Sequence, residues 1–202
     1  MRTLVLGGAR SGKSSWAEHE LLATTASPTA TARTGGDTSG KAPTVLHYIA
    51  TARPWPGDSD FHSRVEEHRV RRQAQARQYG VSWRTIDDVD AVEALARPER
   101  RMLLDDVGTW LTHVIDAQGL WEAPRGSVAQ WTHSLIDAVR NFPEDSDLFI
   151  VSPEVGFGVI PEHRSGRLFR DEIGLLNQQL AAVCDRVVLV VAGCPMEVKA
   201  AD

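Results

Sequence analysis

The stretch that decides the fold is Gly7-Gly8-Ala9-Arg10-Ser11-Gly12-Lys13-Ser14, which directly follows the apolar run Leu4-Val5-Leu6. It satisfies the pattern G-x-x-x-x-G-K-[ST] at every specified position, between a predicted strand and a predicted helix. The glycines let successive backbone N–H groups turn towards phosphate oxygens, and the helix that follows adds the positive end of its dipole. Lys13 is predicted to reach the β- and γ-phosphates of a nucleotide, and Ser14 to bind Mg²⁺.

Length and charge limit the classes of protein to which the chain can belong. Its 202 residues suit one α/β domain, and its net charge of −5 argues against a nucleic-acid-binding protein, because such surfaces are usually basic. We expect no membrane span, since no apolar run approaches the ~18 residues required, and no signal-peptide pattern precedes the first strand. Cys184 and Cys194 lack metal-ligand spacing and are predicted to be reduced thiols of a cytoplasmic protein.

Apolar strand-like segments alternate with amphipathic helical segments along the rest of the chain. This alternation predicts a single P-loop NTPase-like (RecA-like) α/β domain over residues 1–202, with a mainly parallel sheet and helices on both faces. The predicted strands are 45–50, 81–86, 101–105, 148–151 and 187–191, and the predicted helices are 15–23, 61–78, 88–97, 109–117, 127–142 and 166–184. No structure is predicted for the tail from Gly193 to Asp202.

Two local expectations concern the first helix and the segment after it. Helical spacing places the apolar residues of 15–23 on one side and leaves Glu18, His19 and Glu20 facing water. From Thr24 to Pro43 the chain is rich in Thr, Ala, Ser and Gly and nearly devoid of large apolar residues. Such a composition buries too little surface to offset the entropy of ordering, so we predict a mobile surface insertion.

A basic helix carries the second informative pattern. Helical spacing over 61–78 places Arg64, His68, Arg71 and Arg72 on one side. Clustered guanidinium groups suit phosphate, and they disfavour the imidazolium form of a neighbouring histidine. A histidine that attacks phosphorus as a nucleophile must be neutral. From these residues alone, a solvated basic helix face without catalytic function is an equally good interpretation.

The segment Arg101-Met102-Leu103-Leu104-Asp105 is an apolar strand that ends in an acid. This is the form of a Walker-B element, in which the carboxylate helps to hold Mg²⁺ opposite the phosphate loop. Ser14 and Asp105 are therefore the predicted metal-binding residues, and Asp106 competes with Asp105 for that role.

Taken together, the ordered motifs resemble those of the bifunctional adenosylcobinamide kinase / adenosylcobinamide-phosphate guanylyltransferase family. The phosphate loop itself is shared by many NTPases, whereas the ordered set is specific and spans nearly the whole chain. The matching motifs are GGARSGKS with Ala17-Glu18, YIATA (48–52), R-V-x-x-H-R-x-x-R (64–72), WRT (83–85), LLD and WLT around Asp105, EVGFGVIPE (154–162), LFRDxxGxLNQxLA (168–181) and VVxGxPxxxK ending at Lys199.

The resemblance implies an enzyme of cobalamin biosynthesis with two activities. It phosphorylates the aminopropanol hydroxyl of adenosylcobinamide, then transfers GMP from GTP to the resulting phosphate through a guanylylated histidine, matched here by His68. ATP and GTP are the implied substrates and Mg²⁺ the implied cofactor. The resemblance also implies a homo-oligomer, a trimer in the family.

The resemblance further assigns catalytic and nucleotide-binding positions. His68 and Lys13 are the implied catalytic residues, and Asp87 stands where the family usually has Glu, which keeps the charge and shortens the reach. The full implied nucleotide-binding set is Gly7, Gly8, Ala9, Arg10, Ser11, Gly12, Lys13, Ser14, Thr51, Ala52, Arg53, Arg71, Arg72, Asp87 and Asp105.

Two alternatives remain open at the level of sequence. One is a family member that retains only the kinase step. The other is a nucleotide-dependent switch or assembly protein without small-molecule chemistry. The sequence also leaves open whether ATP or GTP is the preferred phosphate donor, because a phosphate loop reads phosphates and not the base.

Overall fold

The computed structural model describes residues 1–26, 44–53 and 59–201, with the side chains of 59–62 and 64 excepted. Strands and helices alternate along it as the sequence predicts. The strands are β1 (Arg2–Gly7), β2 (Thr44–Ala50), β3 (Val81–Ile86), β4 (Arg101–Asp105), β5 (Asp147–Pro153), β6 (Arg186–Val191) and β7 (Cys194–Lys199). The helices are α1 (Lys13–Ala26), α2 (Ser59–Gln78), α3 (Ala91–Leu95), α4 (Val107–Gln118), α5 (Ala129–Arg140) and α6 (Arg164–Val183).

The strands form a seven-stranded sheet in the order β3-β2-β4-β5-β1-β6-β7. All neighbours pair in parallel except β6 and β7. Gly7 pairs with Pro153, Asp105 pairs with Val151, and Ala50 pairs with Asp105. The carboxyl ends of β1, β2 and β4 therefore share one edge, which is where ligands bind in open α/β sheets. The predicted fold class is confirmed.

Buried side chains cover both faces of the sheet. One cluster packs Leu4, Met102 and Leu104 against α3 to α6, and a second packs Val5 and Leu103 against α1 and α2. Successive side chains of a strand point to opposite faces, so each central strand supplies both clusters. This double coverage explains why the central strands read as nearly continuous apolar runs.

The first helix is longer than predicted and corrects the start of the proposed insertion. α1 continues to Ala26, and the hydroxyls of Thr24 and Thr25 donate hydrogen bonds to the carbonyls of Leu21 and Leu22 at 2.8 and 2.6 Å. Polar threonines thus satisfy helix-end carbonyls, which composition alone does not reveal. The remainder of the predicted insertion, 27–43, lies outside the described residues.

The tail contains an edge strand that the sequence analysis did not assign. β7 pairs antiparallel with β6 through a turn at Ala192 and Gly193, whose φ angles of 50° and 80° suit a tight hairpin. Every residue of β7 is exposed, including Pro195, which an edge strand tolerates. No buried face exists to impose apolar periodicity, so the usual strand signal is absent.

Both cysteines are free thiols, Cys184 buried and Cys194 exposed. Burial raises the pKa of Cys184 to about 12, so this thiol stays protonated. Within the described ranges, no helix combines the length and the apolar character needed to cross a bilayer.

An ion pair joins the first strand to the start of β6. The backbone N–H of Arg2 donates to Asp185 Oδ2 at 2.6 Å, and Arg2 Nη2 donates to Asp185 Oδ1 at 2.7 Å. The hydrogen bond from the Arg2 side chain is the main cause of a lowered Asp185 pKa. A lowered acid pKa contributes stability above the ordinary pKa, and this contribution is lost as the pH falls through the folded-state value.

We predict that Asp185→Asn lowers the free energy of unfolding at pH 7 by roughly 1 kcal/mol. The difference from wild type should shrink as the pH falls below about 4, where Asp185 of the unfolded chain becomes protonated, and should vanish once the pH has fallen through the lowered pKa of the folded protein. Urea unfolding at a series of pH values measures it. Asp137→Asn, which breaks an exposed pair with Arg140, is the control and should change stability little. A pH-independent loss would contradict the assignment.

Candidate active site

The phosphate loop is shaped by close backbone contacts. A Cβ on Gly7 would lie 2.4 Å from Ser11 Oγ and 2.7 Å from the carbonyl of Val190, and Gly12 has a φ of 92° that favours glycine. The backbone N–H of Gly193, in the β6–β7 turn, donates to the carbonyl of Ser11 at 2.7 Å. The β6–β7 hairpin therefore supports the phosphate loop through this hydrogen bond. The motif VVxGxPxxxK contains this glycine, but nothing in the motif itself indicates that it supports the phosphate loop.

Ser14 and Asp105 meet at the carboxyl edge of the sheet. Ser14 Oγ donates a hydrogen bond to Asp105 Oδ1 at 3.1 Å, and Lys13 Nζ lies 3.4 Å from the carbonyl of Gly8. Asp106 instead caps α4, since its Oδ1 accepts from the Thr109 N–H at 2.7 Å. The geometry thus favours Asp105 over Asp106 as the acid that faces the phosphate loop.

The pKa of Asp105 is raised above its ordinary value, first by burial and then by the charge of Asp106. Hydrogen bonds from Tyr48 and Ser14, together with the charge of Lys13, oppose this rise. Tyr48 Oη donates to Asp105 Oδ2 at 2.6 Å. Burial and the Asp105 charge raise the Tyr48 pKa well above its ordinary value, so the phenol stays a donor. Tyr48 lies in the YIATA motif, but the sequence analysis did not select it.

Thr51 fixes the end of β2 to the end of β4. Its hydroxyl donates to the carbonyl of Asp106 at 2.8 Å and lies 2.9 Å from the Asp106 N–H, which donates to it. Thr51 is buried, whereas Ala52 and Arg53, which follow it, are exposed. The predicted nucleotide-binding loop therefore leaves the sheet beside Asp105.

Arg72 connects Tyr48 to the first helix. Its guanidinium carbon lies 3.6 Å from the centre of the Tyr48 ring, and its Nη1 lies 3.5 Å from Glu18 Oε1. Only 5% of the Arg72 side chain is exposed. A desolvated cation over an aromatic face contributes about 2 kcal/mol. Arg72 therefore lies in the protein interior and is not part of a solvated helix face.

The prediction that Glu18 faces water is wrong, because its relative exposure is 0%. Its Oε2 accepts a hydrogen bond from Arg71 Nη2 at 2.9 Å, and Arg72 lies beside its other oxygen. Burial raises the Glu18 pKa, and the charges of Arg71 and Arg72 oppose that rise. A buried carboxylate is retained only where paired charges and hydrogen bonds offset its desolvation. Helical periodicity cannot detect partners 53 and 54 positions away in the chain.

His68 lies next to Arg71 on α2. Its Nδ1 is 3.1 Å from Arg71 Nη2. A guanidinium has donors and no acceptor, so Nδ1 accepts this hydrogen bond and carries no proton. A continuous series of contacts thus joins Ser14, Asp105, Tyr48, Arg72, Glu18, Arg71 and His68, which we call the Ser14–His68 network.

Other predicted site residues stand apart from this network. Arg10, Ala52, Arg53 and Asp87 are exposed, and no described hydrogen bond joins their side chains to it. The Arg64 side chain lies outside the described residues. A cavity of about 700 Å³ opens beside α4 and is lined in part by Arg53, Asp90, His113 and Trp131. The described lining of this cavity includes neither the phosphate loop nor His68.

The oxygens of Ser14 and Asp105 suit Mg²⁺, which prefers oxygen ligands and binds proteins through one or two carboxylates plus substrate phosphates. No group of three or more His, Cys, Asp or Glu side chains suited to a metal occurs within the described ranges. The buried Asp105 carboxylate is in no ion pair with another described side chain. The oxygen atoms of Ser14 and Asp105 are therefore suited to bind a cation that enters the site together with a nucleotide.

Comparison with known proteins identifies the family. The protein-family model described as "Cobinamide kinase / cobinamide phosphate guanyltransferase" matches residues 3–198. The chain belongs to this family. Its relatives include the "Bifunctional adenosylcobalamin biosynthesis protein CobP" of Pseudomonas aeruginosa, 34% identical over 203 residues and 98% of both chains. The corresponding protein "CobU" of Salmonella typhimurium is 34% identical over 211 residues, covering 98% of this chain and all of the relative. The resemblance drawn from the motifs is confirmed.

We predict that Asp105→Asn leaves the melting temperature equal to or above that of wild type. The raised Asp105 pKa means that the ionised carboxylate costs stability at pH 7, and an amide removes this cost while retaining partners for Tyr48 and Ser14. Affinity for GTP with Mg²⁺ should fall about tenfold or more, because the carboxylate no longer meets the cation. Thermal unfolding and calorimetric titration measure the two effects.

Asp106→Asn is the matched control, because asparagine caps helices as well as aspartate does. It should leave both melting temperature and Mg²⁺-dependent affinity close to wild type. Loss of affinity in Asp106→Asn with retention in Asp105→Asn would reverse the assignment of the two acids.

Proposed function

We propose that the protein phosphorylates adenosylcobinamide and then transfers GMP from GTP to adenosylcobinamide phosphate, forming adenosylcobinamide-GDP. The observation that carries the proposal is the Ser14–His68 network, in which the phosphate loop and the histidine helix converge through buried charged contacts. Family membership over nearly the full chain supports the same pair of reactions. A protein that only binds and releases nucleotide has no need for such a histidine.

The phosphate loop serves the kinase reaction in this proposal. Phosphoryl transfer depends mainly on positioning and electrostatic stabilisation, which Lys13 and the loop N–H groups supply. The aminopropanol hydroxyl oxygen bonds to the γ-phosphorus, the bond to the β,γ-bridging oxygen breaks, and the hydroxyl proton is lost. Ser14 and Asp105 are the residues that would hold Mg²⁺, which supplies charge neutralisation at the phosphates when bound. Both ATP and GTP are proposed substrates.

His68 serves the guanylyl transfer. The unprotonated ring nitrogen of His68 exchanges its hydrogen bond from Arg71 for a bond to the α-phosphorus of GTP, the bond to the α,β-bridging oxygen breaks, and pyrophosphate leaves with the electron pair. A phosphate oxygen of adenosylcobinamide phosphate then bonds to the α-phosphorus, and the nitrogen–phosphorus bond breaks. Dividing the transfer into two displacements is the gain of covalent catalysis. Arg71, which is partly exposed beside His68, offsets the phosphate charges, whereas Arg72 is buried between Tyr48 and Glu18 and supports Arg71 and His68 from the interior. The hydrogen bond accepted by Nδ1 supports a neutral imidazole.

The remaining assignments rest on the sequence and the resemblance. Thr51, Ala52, Arg53 and Asp87 are proposed nucleotide contacts, and the position of Thr51 beside Asp105 supports the first of them. A homo-oligomer, a trimer by resemblance, and a cytoplasmic location stay predictions.

We predict that wild-type protein incubated with α-labelled GTP acquires an acid-labile label on His68, because a nitrogen–phosphorus bond hydrolyses in acid. His68→Ala should abolish labelling and GMP transfer while retaining phosphorylation of adenosylcobinamide. Lys13→Ala should slow both reactions about a hundredfold, since both need the triphosphate held by its phosphates. Single-turnover labelling and product analysis measure these effects.

His19→Ala is the matched control, because His19 is an exposed histidine of α1. It should label and turn over like wild type. Equal GMP transfer by wild type and His68→Ala would contradict the covalent route. An unlabelled wild type that still phosphorylates adenosylcobinamide would indicate a kinase alone. Tight nucleotide binding without either conversion would indicate a nucleotide switch.

A further inference from the structure

Glu18 lies one helical turn after Ser14, on the same side of α1. Among the described residues, no hydrogen bond or ion pair joins its carboxylate to the phosphate loop or to a residue predicted to bind metal, yet Glu18 is completely buried. The chemistry described above assigns it no part. The only described cations beside its carboxylate are Arg71 and Arg72, both from the helix that carries His68.

Burial along α2 shows where that helix is attached to the protein. Every described side chain from Ser63 to Val70 is exposed, and Arg72 is the first buried one. His68 therefore lies in a segment with little apolar packing, one turn before the point of attachment. The contacts at that point are the Glu18 carboxylate and the Tyr48 ring.

Arg71 is shared between Glu18 and His68. The same atom, Nη2, lies 2.9 Å from Glu18 Oε2 and 3.1 Å from His68 Nδ1. A guanidinium nitrogen of this kind carries two hydrogens, so it can donate to both acceptors. The carboxylate therefore fixes the guanidinium that contacts the imidazole, and it does so from the helix that begins at the phosphate loop.

We propose that Glu18 is a positioning residue for guanylyl transfer, holding Arg71, Arg72 and the His68 segment at a fixed place relative to the phosphate loop. It acts through the two arginines and does not itself meet the nucleotide. This inference rests on the proposed function. A displacement of about 1 Å at a reacting group can slow a reaction a hundredfold. Loss of the positioning by Glu18 should therefore lower the rate of the chemical step.

The test compares Glu18→Gln, Glu18→Asp and Glu20→Gln. Glutamine removes the charge at nearly constant shape, and aspartate keeps the charge but withdraws it by one methylene. Glu20→Gln is the matched control, because Glu20 lies on the same helix and pairs with Arg186, outside the Ser14–His68 network. Each variant is compared with wild type in melting temperature, adenosylcobinamide phosphorylation and single-turnover labelling from α-labelled GTP.

At saturating GTP, Glu18→Gln should label His68 about tenfold more slowly or worse, with phosphorylation slowed less than about threefold. Glu18→Asp should recover part of the labelling rate, and Glu20→Gln should match wild type. A purely structural role predicts instead that both reactions fall together with the folded fraction. That result, or wild-type labelling by Glu18→Gln, would overturn the proposal. If Glu18→Gln yields too little folded protein, Glu18→Asp supports the same comparison.

Amide hydrogen exchange separates this inference from the proposed function, because it needs no nucleotide. Exchange across 63–70 should be about tenfold faster in Glu18→Gln than in wild type or Glu20→Gln, since the segment loses its attachment. Faster exchange with no labelling of wild type would refute guanylyl transfer by His68 and leave Glu18 as the support of α2. Unchanged exchange across 63–70 would overturn the positioning role.

Discussion

A buried carboxylate is stable only beside opposite charge, and in this protein the carboxylate and its positively charged partners lie on two different helices, α1 and α2. Glu18 is carried by the helix of the phosphate loop, and the arginines that neutralise it are carried by the helix of the histidine. Removing one partner of such a buried group costs about 3–5 kcal/mol, because the other charge is left unpaired. The relative placement of α1 and α2 is thus part of the stability of the fold.

The sheet supplies the other half of the site. Because β1, β2 and β4 run in parallel, their carboxyl ends bring the phosphate loop, Thr51 and Asp105 to one edge. β5 lies between β1 and β4, so Asp105 reaches Ser14 from the second strand away. Tyr48, on the face covered by α1 and α2, then connects this edge to Arg72. The parallel strands thus fix the positions of the phosphate loop and Asp105. The Ser14–His68 network connects these residues to His68.

Sequence reasoning succeeded where a signal is local and failed where partners are distant. The alternation of strands and helices follows from apolar periodicity and is confirmed by the structure. The nucleotide- and metal-binding roles of the phosphate loop and Asp105 follow from short motifs and stay predictions. Glu18 was misplaced because a glutamate between helical polar residues is normally solvated, and its arginines lie far along the chain. β7 was missed because an exposed edge strand has no apolar face. The choice between Asp105 and Asp106 needed the cap geometry of α4.

The bond from Gly193 to Ser11 joins the phosphate loop to a residue 182 positions further along the chain. During synthesis the loop therefore leaves the ribosome well before the glycine that supports it. A chain that stops before β6 lacks Gly193 and therefore lacks this support behind the loop. We expect such a chain to bind nucleotide less tightly than the 202-residue protein.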